Sequence, residues 1–284
     1  MSLLLQGTDL TKRFVIKRGL TPRSVQYETA VNSVSIDIEK ARTIAVVGES
    51  GAGKSTLARL LMRLVEADSG TVTFDGVDLS TLGRNQLRIL RRRIQMIFQD
   101  PFSSLDPRKT VGSAVEEALL VHFDMSRSDR ASRVAELFAD VGMNKRHMER
   151  YPHEFSGGQL QRVAIARALA VQPDVLVCDE PVAALDVSIR AQIVNLLGRL
   201  QAENGFAILF VSHDMALVRY IADDVVVMKS GEVVERGTAS KVFETPQADY
   251  TKALLGAIPI PDPRVRRIVG HNTAGAGTRY GGGA

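Results

Sequence analysis

Residues 48–56 form a glycine-rich segment whose composition suits the binding of phosphate groups. The apolar run 43–47 precedes it and the helical run 57–64 follows it. Glycines allow consecutive backbone N–H groups to turn inward around phosphates, and a helix N-terminus adds its positive end. In such a P-loop, Lys54 reaches the β- and γ-phosphates, and Ser55 gives its hydroxyl oxygen to Mg²⁺. A glycine-rich turn that caps a helix is the alternative. The predicted phosphate-binding residues are Gly48, Glu49, Ser50, Gly51, Ala52, Gly53, Lys54, Ser55 and Thr56.

Two adjacent carboxylates, Asp179 and Glu180, end the apolar run 174–178. Successive side chains of a strand point to opposite faces, so we expect the two to have different roles. Asp179 suits the coordination shell of Mg²⁺, and Glu180 suits the general base that orients and deprotonates an attacking water. Acidic residues at a strand end also fit an ordinary surface turn, and the nearby P-loop favours the catalytic interpretation.

The segment Phe155-Ser-Gly-Gly-Gln159 introduces a helical run over residues 160–170. Ser156 and Gln159 have the spacing of a capping box, which by itself would only begin the helix. Gly157 and Gly158 are not required by a capping box, and they would allow an anion to approach the backbone at the helix N-terminus. The segment therefore predicts a helix start or a second phosphate-binding element, and both interpretations stay open at this point.

The elements that must position these side chains follow an α/β pattern. Short β-branched runs alternate with helical stretches, which predicts a layered fold with a largely parallel sheet. Between residues 134 and 141, apolar side chains recur at i, i+3, i+4 and i+7, and Gly142 follows as a stop. We therefore expect residues 111–170 to form a helical lobe inserted between strands, and two short helices after Arg236. The predicted buried strands are residues 44–47, 72–74, 94–98, 175–178, 207–211 and 225–228.

Composition excludes several other classes of protein. The chain has 284 residues, 45% of them hydrophobic, and a net charge of +4, which describes a globular protein and does not by itself indicate nucleic acid. Cys178 is the single cysteine, so an internal disulfide is excluded and a reducing compartment fits. The sequence has no C-x-x-C or H-E-x-x-H, and it shows neither a signal peptide nor an apolar run of membrane-spanning length. We expect a chain that is neither secreted nor membrane-spanning.

With these motifs in order, the chain resembles the nucleotide-binding subunit of an ATP-binding cassette (ABC) transporter. Residues 155–159 are similar to the signature of that family, with Phe155 in place of the usual Leu, and Ser156 lies 23 residues before Asp179. The resemblance implies ATP and Mg²⁺ as cofactors. It also implies that Gln99 is the Q-loop glutamine, which contacts Mg²⁺ and senses a membrane partner.

Three further positions are assigned by the same resemblance. Residues 183–186 resemble the D-loop with Ala183 where Ser is more usual, which places Asp186 near the nucleotide. His213 matches the switch histidine that contacts the γ-phosphate, although a lone histidine also fits a capped or core position. Phe14 matches the aromatic residue that stacks on adenine. Tyr27 competes with Phe14 for that role, because residues 15–28 look like an insertion.

A narrower similarity points to the oligopeptide/dipeptide importer subfamily. Residues 91–107 and 249–263 are typical of it, and the single Cys178 means that this chain cannot hold the iron–sulfur site of some members. We interpret Arg91, Arg92 and Arg93 as a solvated helix end rather than a contact to a phosphate backbone. A similar basic cluster, Arg264, Arg266 and Arg267, opens the tail 264–284, which is basic and glycine-rich, and its composition predicts disorder.

The predicted architecture is α/β: a P-loop NTPase core of the ATP-binding cassette type with an inserted helical subdomain and a small antiparallel β region. The cassette would occupy residues 1–263, with its core at 1–110 and 171–245, the helical subdomain at about 111–170, and the importer extension at about 246–263. The predicted catalytic residues are Lys54, Gln99, Glu180 and His213, and the predicted Mg²⁺ ligands are Ser55, Gln99 and Asp179.

The implied function is ATP hydrolysis that powers import of peptides or related small solutes. The expected partners are a second cassette subunit, two transmembrane permease subunits and, indirectly, an extracytoplasmic solute-binding protein, with no nucleic acid. Such a chain would be peripheral, at the cytoplasmic face of the inner membrane. The alternative is a soluble cassette ATPase acting on DNA or ribosomes, although no coiled coil or zinc module of that class is visible. Nickel, glutathione or sugar are alternative solutes.

Overall fold

The structure of the chain is a computed structural model, which describes residues 3–17 and 26–257. Its strands are β1 (Leu3–Lys17), β2 (Gln26–Glu39), β3 (Thr43–Val47), β4 (Ser69–Phe74), β5 (Val77–Asp78), β6 (Ile94–Ile97), β7 (Val175–Asp179), β8 (Ala207–Ser212), β9 (Asp224–Lys229) and β10 (Glu232–Thr238). Its α-helices are α1 (Lys54–Leu61), α2 (Arg84–Arg93), α3 (Val111–His122), α4 (Arg127–Asp140), α5 (Gly157–Leu169), α6 (Val187–Asn204), α7 (Met215–Ile221), α8 (Ala239–Glu244) and α9 (Asp249–Gly256). Short 3₁₀ turns lie at Leu79–Thr81, Lys145–Glu149 and Pro152–Glu154.

The larger sheet has six strands in the order β10-β9-β3-β8-β7-β6. All neighbours are parallel except β10, which runs antiparallel to β9. Strands β3, β7 and β8 are buried along their whole length, as their continuous apolar runs predict for a parallel sheet covered on both faces. The predicted α/β layering is therefore confirmed, and the carboxyl ends of β3, β7 and β8 meet at one edge.

The smaller sheet is antiparallel, in the order β2-β1-β4-β5, which confirms the predicted antiparallel region. One strand prediction needs correction here. Residues 72–74 were expected to be a buried strand, but they end β4 of this sheet, where Val72 and Thr73 are half-buried and Phe74 is buried. The reason is that an antiparallel sheet can keep one face in solvent, so its strands need not be apolar throughout.

Strands β1 and β2 form a long hairpin. Phe14 lies opposite Glu28, and Val15 lies opposite Tyr27. The described residues of the expected insertion at 15–28 thus lengthen both strands of the hairpin on either side of residues 18–25.

The stretch between β6 and β7 is a long crossover. The two strands are parallel neighbours, with Ile94 opposite Val175, and 77 residues separate them in sequence. Helices α3, α4 and α5 lie in this crossover. The expected apolar face of α4 is buried, and Gly142 follows it with a φ of 72°. The helical character predicted for residues 111–170 is confirmed, while their independence as a lobe stays a prediction.

The arginines at the end of α2 depart in part from the expected solvated cluster. Arg91 is exposed, as expected. The Arg92 guanidinium, however, lies 4.2 Å from the centre of the Phe123 ring, and Arg93 forms ion pairs with Asp75 and Asp174. Two of the three arginines therefore attach α2 to its surroundings, because a long cationic side chain can pack its planar group on a ring or a carboxylate.

The chain after β10 contains α8 and α9, which confirms the two short helices predicted after Arg236. The proline-rich end of the predicted extension and the tail with its basic cluster lie outside the described residues. Among residues 3–17 and 26–257, no helix is long and apolar enough to span a membrane.

Candidate nucleotide-binding site

The loop after β3 requires glycine at two positions. Gly48 has a φ of 150° and Gly53 a φ of 97°, a region that side chains with a Cβ rarely adopt. A Cβ on Gly53 would lie 2.1 Å from the carbonyl oxygen of Ala30, and one on Gly48 would lie 2.2 Å from that of Met228. The loop thus packs closely between β2 and the end of β9, and α1 begins directly after it. This strand–loop–helix arrangement is the context that a P-loop requires.

Lys54 is buried at the start of α1. Its Nζ donates hydrogen bonds to the carbonyl oxygens of Gly48 at 2.9 Å and Glu49 at 2.8 Å, and lies 3.9 Å from Oε1 of Glu180. Burial lowers the pKa of Lys54, against the opposing pull of Glu180 and Asp179. The direction of the shift means that the buried ammonium lacks full compensation for its lost hydration. A phosphate group beside it would supply the missing negative charge.

Ser55 and Asp179 bring two oxygen ligands together. The Ser55 hydroxyl donates to Oδ1 of Asp179 at 2.6 Å, and Arg59 lies 4.0 Å from the other carboxylate oxygen. Burial raises the pKa of Asp179, and the Ser55 hydrogen bond and Arg59 offset part of this rise. Hydroxyl and carboxylate oxygens are the ligands that Mg²⁺ prefers, and the carboxylate would be better compensated beside a cation. The donor set of this pair therefore fits a magnesium ion.

Glu180 is held in an uncommon backbone conformation at the end of β7. Its φ is 48°, in the left-handed region, and its N–H donates to the carbonyl oxygen of Val211 at 3.0 Å. Its Oε2 lies 3.3 Å from Nδ1 of His213, which is half-exposed. Because β7 and β8 are parallel neighbours, residues 33 positions apart meet at the same edge. Lys54, Ser55, Asp179, Glu180 and His213 thus form one cluster.

The other predicted site residues lie outside this cluster. Gln99 is exposed after β6, and Asp186 is exposed at the start of α6. Within the described ranges, neither residue nor the segment 156–159 forms a hydrogen bond or ion pair with the cluster. Ser156 and Gln159 form the capping box, in which the Ser156 N–H donates to Oε1 of Gln159 at 3.0 Å. The helix-start interpretation is therefore correct as far as it goes, and it leaves the helix N-terminus open to solvent.

The two signature glycines also have a packing reason. A Cβ on Gly158 would lie 2.5 Å from Cγ2 of Ile189, and one on Gly157 would lie 3.2 Å from Cδ2 of Leu185. The start of α5 thus approaches the start of α6 too closely for larger residues. This observation adds to the expected approach of an anion and does not decide for or against it.

Phe14 and Tyr27 are both exposed, by 42% and 60%. In an antiparallel ladder, opposed residues share a face and successive residues alternate. Phe14 therefore shares a face with Glu28, and Tyr27 shares the other face with Val15. A base bound against one face of the hairpin can contact only one of the two rings.

Arg190 on α6 is a site residue that the sequence analysis missed. Its Nε donates to the carbonyl oxygen of Leu185 at 2.8 Å, and its Nη2 donates to that of Ala183 at 3.2 Å. Its Nη1 lies 3.5 Å from Oδ2 of Asp214, directly after His213. The guanidinium therefore ties the segment after Glu180 to the segment around His213. Its four-residue spacing from Asp186 gave no distinctive signal, since arginine is common on exposed helices.

The burial of Asp179 makes a prediction about stability. Without nucleotide and in the presence of a chelator, Asp179→Asn is expected to raise Tm by about 1–4 °C, the shift that roughly 1 kcal/mol produces in a domain of this size. The asparagine oxygen can still accept from Ser55, but it carries no charge into the buried site. Thermal unfolding at several pH values is the measurement. Because burial raises the pKa of Asp179, the gain should be present at neutral pH and disappear as the pH falls and the wild-type carboxyl becomes protonated.

Asp68→Asn is the control of opposite sign. Hydrogen bonds from Lys12 and from the Arg13 N–H hold the pKa of Asp68 below its ordinary value, so its charge stabilises the fold. This variant should lower Tm at neutral pH. A lower Tm for Asp179→Asn as well would show that the ionised carboxylate at position 179 is already compensated.

Comparison with known proteins places the site in a family. The family described as ABC transporter matches residues 31–183, which is more than half of the chain. The glutathione import ATP-binding protein GsiA of Pectobacterium atrosepticum is 52% identical over 264 residues, which make up 93% of this chain and 42% of that protein. The chain therefore spans less than half the length of this curated relative.

Solved structures show the same fold. A dimeric post-hydrolysis state of the ATP-binding cassette MJ0796, bound to ADP and Pi, superposes with a TM-score of 0.74 at 30% identity, covering 83% of this chain and 99% of that one. CbiO1 from Clostridium perfringens, part of the ABC transporter complex cbiONQ, gives a TM-score of 0.75 at 29% identity, covering 87% and 93%. The P-loop, the carboxylate pair at the end of β7 and these matches agree: the chain belongs to the ABC transporter family, as an ATP-binding cassette domain.

Proposed function

We propose that this chain hydrolyses ATP with Mg²⁺, and that hydrolysis powers the import of a small solute through membrane permeases. The observation that carries the proposal is the cluster of Lys54, Ser55, Asp179, Glu180 and His213 at one edge of the parallel sheet. The ammonium and the carboxylates in this cluster have pKa shifts that a polyphosphate and a cation would offset.

Each residue of the cluster has a role that its position supports. Lys54 exchanges its two carbonyl partners for the β- and γ-phosphate oxygens. Glu180 orients the attacking water and accepts its proton, and His213 holds the Glu180 carboxylate from the exposed side while facing the γ-phosphate. Ser55 and Asp179 would hold Mg²⁺, which when bound neutralises charge on the phosphates. Gln99 joins the site from the end of β6.

The hairpin residue that stacks on adenine can be identified by substitution. We propose Phe14, so Phe14→Ala should raise the KM for ATP about tenfold or more, because stacking of a base on an aromatic ring contributes about 1–3 kcal/mol. Tyr27→Ala should leave KM unchanged, since its ring lies on the opposite face of the ladder. Steady-state ATPase assays measure both. The reverse order of effects would assign the role to Tyr27.

A second cassette would complete the site. The N-terminus of α5, with Ser156, Gly157, Gly158 and Gln159, is open to solvent and separate from the cluster in its own chain. Backbone N–H groups at such a terminus attract anions. We therefore place this segment, together with Asp186, against the γ-phosphate held by the P-loop of a partner cassette, and the matching MJ0796 structure is described as dimeric.

A groove beside Gln99 is the proposed contact for the permease subunits. It has a volume of about 450 Å³ and lies between the end of β6 and α3, with Phe98, Leu105 and Val121 in its lining. Leu120 on the same helix is 58% exposed. Exposed apolar side chains around a groove mark an interaction surface. Docking there would place the chain at the cytoplasmic face of the inner membrane.

The proposed solute is a small peptide, with glutathione as the first candidate because the matched relative is named for its import. The test uses the whole transporter, in which this chain is assembled with its permeases and binding protein in vesicles. We expect uptake of labelled glutathione or dipeptide that requires ATP and is lost with the Lys54→Ala chain. Uptake of nickel or sugar instead would change the solute. ATPase activity stimulated only by DNA or ribosomes would overturn the transport function.

A further inference from the structure

The C-terminal helix α9 reaches the P-loop through one side chain. The backbone N–H of Glu49 donates a hydrogen bond to the hydroxyl oxygen of Tyr250 at 3.2 Å, although the two residues are 201 positions apart in sequence. The Lys229 ammonium lies 4.9 Å from the centre of the Tyr250 ring. The contact therefore joins the start of the nucleotide-binding loop, the end of β9 and the part of the chain that the motif assignments left without a role.

The fold fixes α9 in this position. Glu235 on β10 accepts hydrogen bonds from the N–H groups of Gln247 at 2.8 Å and Ala248 at 3.0 Å, where the chain enters the helix. Thr251 is fully buried, and Leu254 packs with Tyr250 against the main hydrophobic core. The Tyr250 hydroxyl is therefore presented to the loop by an anchored helix, and not by a free surface side chain.

The peptide groups of Glu49 connect this hydroxyl to the catalytic lysine. The N–H of Glu49 binds Tyr250, and the carbonyl oxygen of the same residue accepts from Nζ of Lys54 at 2.8 Å. That oxygen also accepts from the N–H of Ala52 at 3.2 Å. A rotation of the backbone at Glu49 would consequently displace both the ammonium and the loop that must surround the phosphates.

We infer that Tyr250 is a positioning residue for ATP binding, and that it holds the backbone of Glu49 in the conformation that the P-loop needs. When Lys54 turns from the loop carbonyls to the phosphates, the loop loses one internal tie and Tyr250 keeps the other. The hydroxyl shares no hydrogen bond with Glu180 or His213 in the described part of the chain, so it acts on the affinity for nucleotide and not on the hydrolysis step.

The test rests on the proposed ATPase function and uses the full-length chain. Tyr250→Phe removes only the hydroxyl. We expect KM for ATP, and the Kd for the non-hydrolysable analogue AMP-PNP measured by calorimetry, to rise about three- to tenfold, the range for one lost hydrogen bond. The kcat should stay within about twofold of wild type and Tm within about 1 °C. Tyr220→Phe, a matched change of a side chain that is 72% exposed on α7, should leave all four quantities unchanged.

Two outcomes would overturn the inference. Unchanged KM and Kd would show that the hydroxyl does not position the loop. A fall in Tm with a parallel loss of kcat would assign Tyr250 to packing alone. A failure of the proposed function looks different, because the wild-type chain would then bind no AMP-PNP and Lys54→Ala would change nothing.

Discussion

Glu180→Gln is expected to lower ATP turnover by about two or more orders of magnitude while ATP still binds. Glutamine keeps the shape of the side chain and can still hydrogen-bond at the position 3.3 Å from His213, but it cannot accept the proton of the attacking water. Turnover measured at saturating ATP, together with calorimetric binding of ATP, separates the two effects. The ATP-bound form should accumulate in this variant.

Glu203→Gln is the matched control. It makes the same chemical change at a surface carboxylate of α6 that pairs with Arg199 at 2.9 Å, far from the nucleotide cluster in sequence. Its turnover should equal that of wild type. Unchanged turnover in Glu180→Gln would remove the base from that residue and make His213 the next residue to substitute.

The second large effect is recovery of activity in a mixture of two inactive chains. Lys54→Ala removes the ammonium that binds the phosphates, and Ser156→Arg blocks the open N-terminus of α5. In a head-to-tail dimer of one chain of each kind, both defects fall in the same composite site and the other site is intact. We therefore expect ATPase activity to return when the two chains are mixed, whereas each alone is inactive.

The control is a mixture of Lys54→Ala with the double variant Lys54→Ala/Ser156→Arg, in which no composite site has its lysine. This mixture should stay inactive. Sedimentation of the Glu180→Gln chain with ATP must first show that the subunit pairs with itself. If mixed dimers form and remain inactive, either the site belongs to one chain or both sites must be intact, and repeating the mixture with a sister subunit decides between these explanations.

The elements that local pattern determines were predictable from the sequence. The apolar runs before Lys54 and Asp179 predict buried strands, because a parallel sheet covered on both faces needs continuous apolar residues. The conformational demand at Gly48 and Gly53 also lies within the loop and its two neighbouring strands. The meeting of Glu180 with His213 follows once parallel strands are assumed, since their carboxyl ends share an edge.

The contacts that the sequence did not predict join distant segments. Nothing in the residues near Tyr250 indicates that its hydroxyl meets Glu49, because that contact depends on where α9 packs. The three bonds of Arg190 likewise depend on the relative position of two loops. The opposite faces of Phe14 and Tyr27 come from the register of the hairpin, which the hydrophobic pattern of an exposed ladder specifies weakly. Three-dimensional packing supplied this information.

The position of β6 at the edge of the larger sheet has a consequence for the order of folding. Strand β6 pairs with β7 alone, and that pairing closes a loop of 77 residues. Closing a loop costs entropy before the contact is gained, and contacts between distant residues slow folding. Helices α3, α4 and α5 have mostly local contacts, and their early formation would shorten the flexible part of the loop. We therefore expect β3, β7, β8 and β9 to assemble first and β6, with the adjoining Gln99 segment, to be the last parallel strand to pair.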